Sequence, residues 1–148
     1  CDWSSDVCSS DLGIMGRSQL KRLDGNVRRR TDNLKRFLAQ IDATKYRTDF
    51  LLEGSSNYAF NLILKEADDA LVEKLMRRMR ESGVEFRRGS AGGGNQIRQP
   101  YLKGIVPDGH HKNFPHTEHV HFYGFYIGNF PDLRDAEIDE LCGILNSV

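Results

Sequence analysis

Cysteine and tryptophan are scarce in this 148-residue chain, and most of what there is falls in its first twelve residues. Cys1, Cys8 and Trp3 all lie in CDWSSDVCSSDL, a stretch that matches, codon for codon, the translated sequence of a short-read sequencing adapter. Residues 1–12 are therefore set aside as an artefact that says nothing about the fold. The authentic sequence is then expected to begin at Gly13, inside a longer gene, with an upstream part missing. Cys142 remains without a partner, which excludes a disulfide framework and points to a reducing, cytoplasmic setting. No apolar run approaches the roughly 20 residues of a membrane-spanning helix. A charge of one sign is lacking too. The whole chain is neutral, and without Asp2, Asp6 and Asp11 it carries 21 basic against 18 acidic residues, a formal +3. That balance is too weak and too scattered to argue for nucleic acid. The remaining 136 residues suffice for one domain with a real core.

What the chain does have is a glycine loop flanked by arginines, Val84 to Leu102 (VEFRRGSAGGGNQIRQPYL). Val84 to Arg87 alternates as a short strand does. Ordering Gly92-Gly93-Gly94 costs more backbone freedom than ordering any other residues would, so the run fits a sharp turn or a close approach to a ligand. Arg87, Arg88 and Arg98 bring planar donor forks suited to phosphates and carboxylates. These residues fit an anion-binding loop at a strand end and, equally, a flexible connector with solvated arginines. No Walker-type Gly-Lys-Ser/Thr follows.

Around this loop the pattern reads αββαβ(α)βα. Gly13 to Asp42 is expected as a helix with Leu20, Leu23, Val27, Leu34, Leu38 and Ile41 near one face, and with a kink or split at Asp24-Gly25. Thr48 to Leu52 reads as a weak strand, joined by the turn Glu53 to Ser56 to a stronger strand, Asn57 to Lys65, as an antiparallel pair. In the stronger strand Tyr58, Phe60, Leu62 and Leu64 share a face. Asp68 or Asp69 caps a helix running to Ser82, with Leu71, Val72, Leu75 and Met79 inward and Gly83 as its C′ residue. Pro100 to Ile105 and Thr117 to Phe122 read as short helical turns, Gly124 to Gly128 as the last strand, and Asp135 to Asn146 as a closing helix. The fold class expected is α/β in the broad sense: an α+β sandwich with a mostly antiparallel sheet and helices on one main face.

Five histidines crowd into twelve positions, His110, His111, His116, His119 and His121. No single secondary structure aims three of them at one ion, and Glu118 completes no standard signature, so no metal site is assigned. Cys142 beside Leu141 reads as a small buried apolar residue rather than a nucleophile. The acidic residues from Asp135 to Glu140 sit on the first turns of a helix, where the helix dipole favours them.

Six segments, in order, resemble the C-terminal part of the DegT/StrS-type enzymes, the PLP-dependent nucleotide-sugar aminotransferases and 3-dehydratases. Gly13 to Leu23 resembles the family's Ala-Ile-Gly-x-x-Gln-Leu-x-Lys-Leu helix start, and Val27 to Leu38 its Arg-Arg-x-Asn segment. Ser56 to Phe60 resembles its aromatic strand, and Ser82 to Arg88 its Gly-Ile-x-x-Arg strand. Gly94-Asn95-Gln96-Ile97-Arg98-Gln99-Pro100 resembles the Gly-Asn-x-x-Arg-Gln-Pro of the deoxysugar 3-dehydratase branch. His116-Thr117-Glu118 through Gly128-Asn129 resembles the segment leading into a strand that ends in Gly-Asn. The insertion Ala91-Gly92-Gly93 and the histidine-rich turn depart from the family pattern.

The resemblance implies that residues 13–42 form an interdomain linking helix, that 43–148 form the small C-terminal domain of a fold-type I PLP enzyme, and that the large domain lies upstream. It implies PLP (or PMP) bound mainly by that upstream domain, with the Schiff-base Lys of a transaminase, or the His of a dehydratase, outside this chain. It further implies a nucleotide-sugar substrate for deoxysugar, aminosugar and surface-polysaccharide synthesis, and a homodimer. Arg88, Ser90, Gly94, Asn95 and Arg98 are the substrate-side residues it suggests, followed by Asn57 and Tyr58. The alternative is a stand-alone α+β binding module whose Arg/Gly loop captures a phosphorylated ligand.

Overall fold

The computed structural model describes residues 5–91 and 94–148; for residues 5–12 and Ser90 it describes only the backbone. Residues 1–4, Gly92, Gly93 and the side chains of residues 5–12 lie outside the described residues.

Helix α1 runs from Ser5 to Gln40 without interruption, so the helix is not split at Asp24-Gly25. Gly25 meets nothing within 4 Å, so no contact forces the helix to bend at that point. Only the C-terminal part of its apolar stripe is covered. Leu34, Phe37 and Ile41 are buried, while Ile14, Met15, Leu20 and Leu23 stand in solvent. No described helix is long and apolar enough to cross a membrane.

Strand β1 (Ala59–Ile63), helix α2 (Asp69–Glu81), strand β2 (Arg87–Arg88), helix α3 (Pro115–Tyr123), strand β3 (Gly124–Gly128) and helix α4 (Asp135–Asn146) follow. The sheet order is β1-β3-β2, antiparallel throughout. Asp68 caps α2 by accepting from the Leu71 amide at 2.9 Å, and Gly83 adopts the left-handed φ (+69°) that ends it.

Phe60, Leu62 and Leu64 of the β1 segment, with Phe125 and Ile127 of β3, turn one sheet face toward α1, α2 and α4. There Phe60 stacks on Phe37 at 4.7 Å, and Leu75, Met79, Ile138, Cys142 and Leu145 close the core. Cys142 is buried, as its apolar neighbours on the sequence suggest, and burial pushes its thiol up to about 11. The opposite face carries Asn61, Tyr126 and Arg87.

Two strand assignments need correction. Thr48 to Leu52 is not a strand. The antiparallel pairing falls just before it, where Arg47 N donates to Ile63 O (2.8 Å) and Lys65 N to Lys45 O (2.8 Å). The anchor is Tyr46, fully buried, whose hydroxyl donates to Leu145 O at 2.8 Å; beyond it the chain leaves the sheet. The strand expected from Val84 pairs only at Arg87 and Arg88; Phe86 still meets the Phe125 ring of β3 edge-on at 5.6 Å, and Val84 to Phe86 line an apolar cleft of about 290 Å³ with Phe130, Leu133 and Leu141.

A buried asparagine clamp holds the C-terminal end of β3. Asn129 Nδ2 donates to Arg30 O and Asn57 O, both at 2.8 Å, and its Oδ1 accepts from Asn33 Nδ2 at 3.0 Å. Gly128 before it lies under the exposed Phe130 ring, which would have to move for a Cβ to fit, at 2.7 Å.

Candidate functional site

The glycine loop leaves β2 at Gly89, whose φ of +54° suits a residue without a side chain. The backbone turns through Gly89–Ala91 and returns where Gly94 N donates to Gly89 O at 2.8 Å. A Cβ on Gly94 would overlap His121 Nδ1 and lie 2.7 Å from Gly89 O, so the position accepts only glycine. The cost of ordering glycine here is therefore met by a close approach, with His121 of α3 as the neighbour.

Asn95 is the centre of the cluster and is 2% exposed. Its Oδ1 accepts from Ile97 N (3.0 Å), capping the 3₁₀ turn Gln96–Arg98. Its Nδ2 donates to Glu118 Oε1 (2.7 Å), and its backbone amide donates to His121 Nδ1 (3.0 Å). Arg98 grips the same carboxylate through Nε, at 2.8 and 3.0 Å, and through Nη2, while its guanidinium stacks 4.8 Å from the Phe122 ring. The Arg98 fork first, with the Asn95 amide, holds the Glu118 carboxyl down to about 2 against its partial burial. Burial, and then the Arg98 charge, lower the pKa of His121, with Glu118 opposing; accepting the Asn95 N–H at Nδ1 fixes its neutral ring as the Nε2–H tautomer.

Gly94, Asn95 and Arg98 are thus brought together, with Ser90 beside them on the backbone of the turn; the Ser90 side chain lies outside the described residues. Arg88 has a different post. It donates to Phe122 O, approaches Met76 Sδ at 3.2 Å and covers the Phe125 ring at 5.2 Å, so it braces the joint between α3 and β3. Asn57 and Tyr58 lie at the far end of the sheet. Ala59 pairs with Gly128 while Ile63 pairs with Gly124, the end next to the loop. Four residues along the strand amount to roughly 14 Å. Asn57 is buried at φ +48°, its Nδ2 donating to Thr31 Oγ1 (2.9 Å) and Leu52 O (3.3 Å). Tyr58 is exposed and leaves the Phe60 face to meet Tyr126 edge-on at 5.7 Å. It lies outside β1, before the regular alternation of the strand begins at Ala59.

Sequence reasoning left Glu118, His121, Asn33 and Asn129 out of the candidate set. The first two sat in a crowded histidine turn with no periodicity to orient them. The signal that could have found them is the segment from His116 through Gly128-Asn129 that resembles the family. The remaining histidines go separate ways. His119 Nε2 donates to Leu64 O at 2.6 Å, and His110 meets Asn113 and the Phe114 ring. Among the described residues no three His, Cys, Asp or Glu converge on a metal-sized point.

Beside the cluster opens a polar cleft of about 300 Å³, lined by Arg98, Lys103, Asp108 and His111 among others. Its size fits a small ligand or part of a larger one. The described residues do not by themselves fit PLP. The Arg98 fork is committed to Glu118, Glu118 is taken by Arg98 and Asn95, and Lys103 and Asp108 are exposed on the rim. Neither the polar cleft nor the apolar one combines a lysine, a free buried carboxylate and an uncommitted cationic fork.

No curated protein sequence matches the chain. Solved structures do. The E coli GDP-4-keto-6-deoxy-D-mannose-3-dehydratase with bound hydrated PLP is 25% identical at a TM-score of 0.76, over 90% of this chain and 34% of that one. A variant of a GDP-4-keto-6-deoxymannose-3-dehydratase with bound GDP-perosamine is 25% identical at 0.69, over the same shares. An aminotransferase from Psychrobacter cryohalolentis, 19% identical at 0.72 over 90% of this chain and 37% of that one, shares the fold. The chain spans about a third of the length of these enzymes. The family model for the DegT/DnrJ/EryC1/StrS aminotransferases matches residues 12–146, nearly all of the chain, and the chain belongs to that family.

Proposed function

We propose that this chain is the small C-terminal domain of a PLP-dependent enzyme that removes the C3 hydroxyl of a nucleotide-linked 4-keto-6-deoxy sugar in the cytoplasm. Residues 13–42 are the linking helix and 43–148 the small domain. PLP or PMP, which supplies the electron sink for such chemistry, is held mainly by a large domain encoded upstream. The observation that carries the proposal is the match to a GDP-4-keto-6-deoxymannose-3-dehydratase, 25% identical over 90% of the chain at a TM-score of 0.77.

The chain's own contribution is to present the loop. Asn95 and Glu118 fix its backbone, and Arg98, which lines the polar cleft, carries the loop of Ser90 and Gly94 to the side of the space where a nucleotide sugar would lie. Arg88 holds the α3–β3 joint on which this loop rests. Asn57 and Tyr58 stand apart; Asn57 is buried and bonded within the chain, and Tyr58, which is exposed, is the one that a second subunit of a homodimer could reach. Leu20 and Leu23, apolar and 66% and 46% exposed, support a chain built to pack against a further domain rather than a complete binding module. Transamination is the second reading, supported by the fold shared with the Psychrobacter aminotransferase.

The test is to recover the coding sequence upstream of Gly13 from the same source DNA, express the whole enzyme, and supply GDP-4-keto-6-deoxymannose, PLP and glutamate. A product lacking the C3 oxygen, with His at the Schiff-base position, is expected. An amino sugar, with Lys there, would establish transamination instead. The absence of a large PLP domain upstream would overturn both.

A further inference from the structure

The summed charge of a polar cleft decides whether it concentrates anions or leaves them in water. The cleft beside the Asn95–Glu118 cluster measures about 300 Å³ and brings Arg98, Lys103, Asp108 and His111 to its walls. Arg98 is not a free cation there. Its Nε and Nη2 both donate to the Glu118 carboxylate, and among the described residues Nη1 alone is left over. The Arg98 fork first, and then Asn95, hold the Glu118 carboxyl down to about 2, so the pair stays ionised and cancels. Lys103 and Asp108 line the same space with opposite charges, and at pH 8 an imidazole carries none. Arg98 and Lys103 thus stand against Glu118 and Asp108, and the cleft is formally neutral.

Hydrogen-bonding chemistry leads to the same ligand. A phosphate at pH 8 offers acceptors and negative charge, as does the Asp108 carboxylate, so the two repel within so small a space. A hydroxyl donates one proton and accepts through two lone pairs. Each hydroxyl can therefore donate to Asp108 while it accepts from Lys103 or from the remaining Arg98 nitrogen. Leu102 and Val106, on the same walls, give the apolar faces of a sugar ring a surface to lie on. The walls are fastened in advance by their own turns, since Val106 N donates to Leu102 O at 3.2 Å, His110 N to Pro107 O at 3.1 Å and Lys112 N to Gly109 O at 2.9 Å. We propose that this cleft receives an uncharged polyol, the sugar ring of the substrate, and turns away the diphosphate. The proposal rests on the function given above and assigns the two parts of a nucleotide sugar to different places: the pyranose between Lys103 and Asp108, the phosphates outside.

The full chain at pH 8 suffices for the first test. The probes are 6-deoxymannose and inorganic pyrophosphate, each followed by NMR through the backbone amides of Lys103, Gly109 and His111. The sugar is expected to shift these amides saturably, with a half-point that changes by less than about twofold between about 0.05 and about 1 M salt. Pyrophosphate should leave them in place. Asp108→Asn removes the repelling carboxylate from the exposed rim and leaves Lys103 uncompensated, so pyrophosphate should then shift the same amides, with a half-point that rises as salt is added. Glu118→Gln frees the Arg98 charge and should do likewise; where it disturbs the fold, Asp108→Asn carries the comparison. Saturable binding of pyrophosphate in the parent chain, no response to the sugar, or no gain for pyrophosphate in Asp108→Asn would each overturn the proposal.

In the assembled enzyme, Asp108→Asn should raise the KM for the nucleotide sugar by about tenfold while inhibition by GDP, which has no sugar ring to place, stays unchanged. An unchanged KM, or weaker inhibition by GDP, would overturn the assignment. If the chain takes up the sugar but the whole enzyme removes no hydroxyl, the cleft stands and the proposed function falls; dehydration by an enzyme whose cleft binds pyrophosphate would do the reverse.

Discussion

Asn129 offers the most direct check on how the sheet is fastened to the long helix. It is 1% exposed, and its side chain ties two segments to the end of β3: α1, through Arg30 and Asn33, and the chain before β1, through Asn57. Asn129→Ala removes these three hydrogen bonds. The Arg30 carbonyl lies within α1 and keeps its helical partner, and Asn33 keeps the Phe130 carbonyl at 3.1 Å, so neither is wholly orphaned. The Asn57 carbonyl loses its donor in the interior. An intramolecular hydrogen bond contributes about 0.5–1.5 kcal/mol net, and a buried group left unpaired costs about 1–3 kcal/mol, so the substitution should destabilise by about 3 kcal/mol. Urea unfolding of the full chain followed by circular dichroism would show this as a midpoint lowered by about 1–2 M at unchanged slope. Asn61→Ala, on the open face of the sheet, is the control and should stay within about 0.5 kcal/mol. A double cycle with Asn33→Ala should return a coupling of about 1 kcal/mol for the one bond they share. A loss below about 1 kcal/mol for Asn129→Ala, or no coupling to Asn33, would refute the clamp.

Two glycines should respond in opposite senses to alanine. Gly25→Ala, within α1 and touching nothing, should stabilise by up to about 1 kcal/mol, whereas Gly94→Ala, which collides with His121 and the Gly89 carbonyl, should cost about 1–3 kcal/mol, both read by thermal unfolding. Glu118 titrates near 2 in the folded chain, below its ordinary value of 4.5. It therefore contributes stability fully above about pH 4.5, and that contribution is lost as pH falls toward 2; Glu118→Gln should flatten this part of the stability–pH curve. In a Cys1→Ser/Cys8→Ser variant, Cys142 should stay unlabelled by a thiol reagent at pH 8 until denaturant is added, because burial raises its thiol to about 11; rapid labelling of native protein would refute its burial.

The elements legible in the sequence are those whose information is local. Helix α2 carries its own cap in Asp68, its own stripe in Val72, Leu75 and Met79, and its own stop in Gly83, and the structure uses all of them. Strand β3 and helix α4 begin and end where glycine, the Asn129 turn and acidic first-turn residues mark them. What could not be read depends on partners distant in sequence. Thr48 to Leu52 has strand composition but no edge to pair with, because Tyr46 has already anchored the chain under Leu145. Asn33 sits on a helix where a polar residue reads as solvated, and only Asn129, 96 residues later, makes it interior. The loop was found because glycine runs and arginines stand out, yet Arg88 and Arg98 proved to be bound within the chain, to the Phe122 carbonyl and Glu118. Charge is visible in a sequence, whereas the acceptor that consumes it is not.

The sheet order has a consequence for how the chain comes into being. β1 and β2 are not paired with each other; both pair with β3, the last strand in the sequence, and β1 is further bridged at its end where Tyr46 meets Leu64. As the chain leaves the ribosome, residues 59–63 and 87–88 emerge as two open edges, and no sheet exists until residues 124–128 slot between them. The whole ladder thus forms late, through contacts that close long loops, a topology expected to fold slowly and to leave those edges open to wrong partners in the meantime. A chain cut anywhere before Gly124 would lose α4 as well as β3, and its remaining helices would have no sheet to cover.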